Sequence, residues 1–155
     1  MSNEKRMRLS EDLIRELREF IAGAILNNQR IADRLGINYT DQQVLNLVDL
    51  LRDATPGALA RLTGLTTGGV TLALDRLEKA GFVRRERNPE DRRSVMIRMA
   101  PERRRQIVAQ HQTANQIMAQ IFSAYAERDL ALILDFFART NRARVESYQA
   151  GSEVK

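Results

Sequence analysis

At 155 residues, with 43% hydrophobic and 29% charged side chains, the chain has the size and composition of one well-buried domain and not of a multidomain enzyme. It holds no cysteine and one histidine, which removes disulfides, thiolate nucleophiles, iron–sulfur clusters and an ordinary zinc site, so no cofactor or metal is expected. No apolar run approaches the roughly 20 residues that span a bilayer, and Met1 to Leu9 lacks the apolar stretch of a signal peptide; a cytoplasmic protein without a membrane partner is expected.

The net charge of +5 is unevenly distributed. Residues 57 to 105 carry 12 basic against 6 acidic side chains, while the rest of the chain carries 13 against 14. Arginine outnumbers lysine in that segment by 11 to 1, and its planar fork suits phosphate oxygens and base edges better than a lysine point charge. Nucleic acid is the leading partner class, with a merely solvated basic surface as the alternative.

Ser10, followed by Glu11 and Asp12, reads as the N-cap of a first helix running from 11 to about 34, with Leu13, Leu17, Phe20, Ala24 and Ile31 at helical spacing and Gly36 closing it. Thr40 and Gln43 form a capping-box pattern opening a second helix that carries Val44, Leu47, Val48 and Leu51. After Thr55, Pro56 and Gly57, residues Ala58 to Thr63 allow a short third helix ending at Gly64. A fourth begins at Thr66, aligns Val70, Ala73, Leu74 and Leu77 on one side, and ends at Gly81. The period then changes: Val95, Ile97 and Met99 alternate with Met96 and Arg98, and Asn88 to Asp91 supply turn chemistry, which predicts a hairpin. Pro101 starts a fifth helix of about 37 Å if it reaches residue 125 at about 1.5 Å per residue. A break near Ala126 to Asp129 precedes a sixth that buries Leu130, Ile133, Leu134 and Phe137 and reaches about Ser147.

Two short helices joined through Gly64, with a hairpin after the second, are the ingredients of a winged helix-turn-helix, although helix spacing alone also fits an ordinary helical hairpin. Ala60, small enough for close approach, Gly64 in the turn and Val70 as a lock between the helices support the DNA-reading version. With Val70, Leu74 and Leu77 inward, about 100° per residue turns Gly68, Leu72, Asp75 and Lys79 outward, flanked by Thr71 and Arg76. Thr66, Thr67 and Thr71 can donate to phosphates or base edges, Leu72 can touch a thymine methyl, and Asp75 either accepts from a cytosine amino group or pairs with Lys79 one turn on, the favoured reading. The hairpin, Arg84 to Ser94, places Arg84, Arg85, Arg87, Arg92 and Arg93 around its tip, where an arginine can enter a narrow minor groove and Asp91 can brace Arg93.

These residues resemble the multiple antibiotic resistance regulators (MarR family). The resemblance covers most of the chain and centres on LDRLEKAGFVRR (Leu74 to Arg85) and DRRSVMIRM (Asp91 to Met99), with Asp91 and Arg93 at the positions of the family's Asp-x-Arg wing signature. Leu72 stands where members often carry a basic or polar residue, and Ala100 and Arg103 where they often carry Thr and Gly. The resemblance implies a homodimer binding palindromic operator DNA, usually as a repressor released by a small phenolic or anionic effector; Tyr39 and His111 are candidates for the effector pocket.

The fold class expected is mainly helical with a small β-hairpin wing (α+β). A single domain over 1–155 holds a winged helix-turn-helix at 40–100, with its recognition helix at 66–80 and its wing at 84–94, and helices 9–35 and 101–148 form a dimerisation layer. The apolar stripes of the first, fifth and sixth helices exceed what one small winged domain covers, so Leu13, Leu17, Phe20, Leu130, Ile133, Phe136 and Phe137 are the residues expected to be shared between two copies. No nucleophile elbow, phosphate-binding glycine loop or HExxH is present, and an enzyme is not expected. The competing reading is a basic interaction module for acidic proteins or membrane surfaces without DNA sequence preference. Arg93→Ala is expected to weaken binding to every duplex and to lower the salt slope by about one, whereas changes at Thr71 or Leu72 alter which duplex is preferred. Indistinguishable binding isotherms for the two kinds of variant across duplexes and salt would contradict that division.

Overall fold

The computed structural model describes residues 3–51, 53–87 and 94–152, with side chains described no further than residue 147. The elements in chain order are α1 (Asn3–Leu35), α2 (Tyr39–Leu50), α3 (Pro56–Thr63), α4 (Thr67–Lys79), β1 (Val83–Arg87), β2 (Val95–Met99), α5 (Pro101–Ser123) and α6 (Glu127–Ser152). This is the mainly helical architecture with one antiparallel hairpin that the periodicity predicts. It divides into two units, residues 1–42 and 43–155.

In the first unit α1 begins at Asn3, and Ser10 is a helix-interior residue rather than the cap: its hydroxyl donates to the Arg6 carbonyl at 2.9 Å. No proline or glycine interrupts residues 3–9, and Glu4 pairs with Arg8 one turn on at 2.7 Å, so the helix extends past the expected start. Gly36, at φ 68°, ends α1 as expected, its N–H and that of Ile37 returning to the Asp33 and Ala32 carbonyls. The cap of α2 is also shifted. Asn38 accepts from the Asp41 N–H at 2.8 Å and donates to the Asp41 carboxylate at 2.9 Å, so this reciprocal pair replaces the Thr40/Gln43 box. A carboxamide carries both a donor and an acceptor, which lets Asn38 close both halves of the exchange.

The second unit contains the helix-turn-helix. Thr55 caps α3 by accepting from the Ala58 N–H at 3.2 Å, Pro56 occupies its first turn, and Gly64 ends it at φ 72°. A left-handed backbone is strained for any residue with a Cβ, so glycine is required at that turn. Thr63 donates to the Leu59 carbonyl at 2.7 Å and accepts from the Leu65 N–H at 3.2 Å, stapling the turn from inside. α4 then packs on α3 with Val70, Ala73, Leu74 and Leu77 all buried, and Leu59 is fully buried on the facing helix. Val70, Leu74, Leu77 and Leu59 each contribute about 1.5–3 kcal/mol on burial.

Gly81, at φ 75°, reverses the chain into β1, and β1 pairs with β2 from Val83 opposite Met99 to Arg87 opposite Val95. The burial of β2 departs from simple alternation. Met96 and Ile97 are both buried, with the Ile97 N–H donating to the Ala54 carbonyl at 2.7 Å, while Val95, at the end of the ladder opposite Arg87, is exposed. The expected tip residues Asn88 to Arg93 lie outside the described residues. Proline starts α5 where expected, but the break comes earlier than Ala126 to Asp129: it covers residues 124–126, and the Ala126 carbonyl already accepts from the Asp129 and Leu130 N–H groups, so Glu127 to Asp129 form the first turn of α6. Leu134 and Phe137, expected to be buried by α6, are 71% and 42% exposed in the single chain, whereas Leu130 and Ile133 are half-buried. Arg144 of α6 donates to the Leu62 carbonyl at 2.7 Å, satisfying an open carbonyl at the end of α3. Gly64→Ala is expected to lower stability by about 1 kcal/mol, read as a drop in the urea midpoint with an unchanged slope; an unaltered midpoint would mean that the turn does not hold this backbone.

Candidate nucleic-acid interface

The buried side of α4 dictates what its other side presents. Thr66, Thr67, Gly68, Thr71, Leu72, Asp75, Arg76 and Lys79 are all exposed, and Leu72, a large apolar residue, keeps 60% of its surface in solvent. Thr66 is the N-cap and accepts from the Gly69 N–H at 3.1 Å, which leaves its hydroxyl proton available. Thr71 differs: its hydroxyl donates to the Thr67 carbonyl at 3.0 Å, so toward an outside partner it offers lone pairs rather than the expected donor. Gly69 keeps the turn tight, since a Cβ there would come within 3.3 Å of the Thr66 hydroxyl oxygen.

The arginines of the hairpin do different things. Arg84 pairs with Glu86 on its own strand at 2.6 Å and remains more than half exposed, and Arg87 is exposed at the distal end of β1. Arg85 turns the other way, toward α4. Its Nη2 donates to Asp75 Oδ1 at 2.7 Å, its Nη1 donates to Glu78 Oε2, and its backbone N–H donates to Glu78 Oε1 at 3.1 Å. Asp75 therefore has Arg85 as its partner, not Lys79: the guanidinium reaches it across the Gly81 turn with a hydrogen bond, in place of the looser lysine pairing one helical turn away. Burial opposes the charge of Arg85, but the hydrogen bonds and negative charge of Asp75 and Glu78 outweigh it and raise the guanidinium above its ordinary value.

Glu78 has no role in the sequence reading, yet it organises this corner. Asp75 and Glu78 are three apart on one side of α4, and an arginine follows across a glycine-closed turn; that spacing is the available signal, but helical periodicity stops at the turn and does not show which residue crosses it. Asp91, Arg92 and Arg93 lie outside the described residues. Arg103 stacks over the Phe82 ring at 5.1 Å and donates to Gln106 at 2.9 Å.

The residues expected to be shared between copies are placed separately in the two units. On α1, Leu13 and Phe20 are exposed and Leu17 is half-buried; Met7, Ile14, Ile21 and Ile25, not singled out beforehand, are exposed with them. On α6, Phe136 and Phe137 are exposed and meet edge to face at 5.4 Å, with Leu132 also outward. Tyr39 and His111 are each half-buried, at the start of α2 and midway along α5. A depression of about 540 Å³ opens between the end of α2, the hairpin and the first turn of α5, lined by Leu51, Arg84, Glu86, Arg98 and Arg104 among others; neither Tyr39 nor His111 lines it. Among the described residues no helix is long and apolar enough to cross a membrane.

The sequence model of the MarR family matches residues 37–95, the stretch from the start of α2 through the hairpin. Over 141 residues, spanning 89% of this chain and 90% of the relative, the sequence is 33% identical to the HTH-type transcriptional regulator YcgE of Bacillus subtilis (strain 168). The chain belongs to the MarR family. The MarR fold is shared with wild-type MarR of E. coli in its apo form, at 22% identity and a TM-score of 0.57 over 83% of this chain and 95% of that one. It is also shared with FabT of Streptococcus pneumoniae, crystallised in complex with DNA, at 20% identity and a TM-score of 0.60 over 97% and 99% of the two chains. MarR-family members are transcriptional regulators rather than enzymes, and the winged helix-turn-helix described above is their fold.

Proposed function

We propose that this MarR-family chain is a sequence-specific double-stranded DNA-binding regulator that acts in the cytoplasm as a homodimer on a palindromic operator, usually repressing, and is released by a small phenolic or anionic effector. One observation carries the reading: the outward side of α4, from Thr66 to Lys79, is exposed and presents polar side chains around Leu72, while Val70, Ala73, Leu74 and Leu77 on its inward side are buried. A helix with that division fits a major groove, with Thr67, Gly68, Thr71, Leu72, Arg76 and Lys79 toward base edges and phosphates and the free N–H groups of its first turn toward an anion. Arg84 and Arg87, with Arg92 and Arg93 and with Asp91 expected from the sequence to brace Arg93, would meet the neighbouring minor groove. FabT, a protein of the same fold, is crystallised in complex with DNA, which supports DNA as the partner.

The apolar side chains left outward on α1 and α6, Leu13, Phe20, Phe136 and Phe137 among them, support a second copy as their cover, because contiguous exposed apolar surface marks a protein–protein interface. Leu17, Leu130 and Ile133 complete the proposed dimer surface. Tyr39 and His111 remain the candidates for effector contact, on the strength of the family's habit. Selecting bound duplexes from a random pool is expected to return a twofold-symmetric site with half-sites about one helical turn apart, which random competitor fails to displace by a factor on the order of 10³. A pool that shows no enrichment while binding persists at low salt would favour the basic interaction module instead.

A further inference from the structure

The grip of Arg85 on α4 has a stronger geometry than a stray ion pair. Glu78 uses both carboxylate oxygens on one residue, Oε1 on the backbone N–H of Arg85 and Oε2 on its guanidinium, while Asp75 takes the other guanidinium nitrogen. Across the hairpin, Arg85 faces Ile97, and the Ile97 N–H points away from β1 to the Ala54 carbonyl at 2.7 Å. Both N–H groups of that residue pair therefore lie outside the ladder, and each is met by a group from outside the hairpin, Glu78 of α4 on one edge and Ala54 of the α2–α3 connection on the other. The hairpin is mounted through its two outer edges, and on the β1 edge the mount is two carboxylates of the helix proposed to enter the major groove.

We infer that Arg85 is not a DNA contact but a positioning residue: with Asp75 and Glu78 it clamps the wing to the recognition helix, so that major-groove and minor-groove contacts form together. The inference rests on the DNA-binding reading above. The clamp also resolves the charge problem of α4. Asp75 is half exposed on the side turned toward a polyanion, and a neutralised carboxylate held sideways by a guanidinium repels phosphates less than a free one. Arg85 is 31% exposed, the least open side chain of its own ion pairs, as expected of a group held by the protein rather than offered to a partner.

Two pictures give opposite signs. If Arg85 touched DNA directly, deleting a carboxylate beside it would free its charge and, by electrostatics alone, tighten binding. If it is a clamp, deleting either carboxylate loosens the wing and weakens binding. The test titrates the duplex selected by the wild type with Asp75→Asn, Glu78→Gln, Arg85→Lys, Arg85→Ala and the Glu78→Gln/Arg85→Ala double variant, and footprints each complex with hydroxyl radical for the minor groove and dimethyl sulfate for the major groove.

The clamp predicts that Asp75→Asn and Glu78→Gln each bind about twofold to fivefold more weakly, the scale of one partly exposed ion pair. Arg85→Ala is weaker still, the double variant is no worse than Arg85→Ala alone, and Arg85→Lys recovers part of the loss. In the weakened complexes the minor-groove protection beside each half-site fades while guanine protection in the major groove persists, a pattern that a general loss of folded protein does not produce. Carboxylate variants that bind as tightly as the wild type or tighter, or additive losses in the double variant, would overturn the clamp. Asp75→Asn is nearly isosteric at a half-exposed position, so it decides the sign even if Arg85→Ala does not fold. A wild type that selects no duplex would remove the DNA reading itself, which distinguishes that failure from a failure of the clamp.

Discussion

The burial of one side of α4 is the constraint from which the rest follows. Val70, Ala73, Leu74 and Leu77 leave almost no surface to solvent, and together they fix the rotation of the helix about its own axis. A rotation by one residue, about 100°, would bring Thr71 or Leu72 into the core and expose an aliphatic residue worth about 1.5–3 kcal/mol. Rotation is therefore not a free variable, and the row from Thr67 to Lys79 faces outward because its neighbours cannot. Gly64 makes this packing possible by letting the chain leave α3 in a left-handed conformation and return at once as α4.

A second layer of order is polar. The wing is a two-stranded hairpin, an element that is marginal alone, and it owes its fixed attitude to edge hydrogen bonds with the helical body. Phe82 is tied at both ends, its N–H to the Leu77 carbonyl and its carbonyl to the Ala100 N–H, and the Arg85 amide is tied to Glu78. Acidic residues in a basic face look misplaced when only charge is counted. In the structure Asp75, Glu78 and Glu86 are each engaged by an arginine of the hairpin, so the carboxylates shape the cationic surface rather than dilute it.

Much of this was legible in the sequence because it is local. Apolar spacing marks the helices, and Gly36, Gly64 and Gly81 end three of them at the left-handed positions that only glycine takes easily. The misreadings share a cause. Ser10 and Thr40 are good capping residues by type, but a cap is a competition with neighbours: an intact helical run preceded Ser10, and Asn38 offered both a donor and an acceptor two residues ahead of Thr40. The partner of Asp75 and the role of Glu78 depend on where the chain goes after Gly81, and Val95, at the end of the ladder, is exposed although it shares the alternation of buried Ile97. The outward apolar rows on α1 and α6 were legible as an excess without an owner, which is as far as a single chain's periodicity reaches.

The account stands or falls on α4 lying in the major groove with Leu72 toward the bases. The chain has no cysteine, so Leu72→Cys introduces a unique attachment point for an iron chelate that cleaves nearby DNA. With the labelled protein bound to its selected duplex, strand scission is predicted inside both half-sites, with the cut offset between strands that a major-groove reagent leaves. A complex that forms fully yet is not cut there, or is cut only outside the half-sites, would contradict the account.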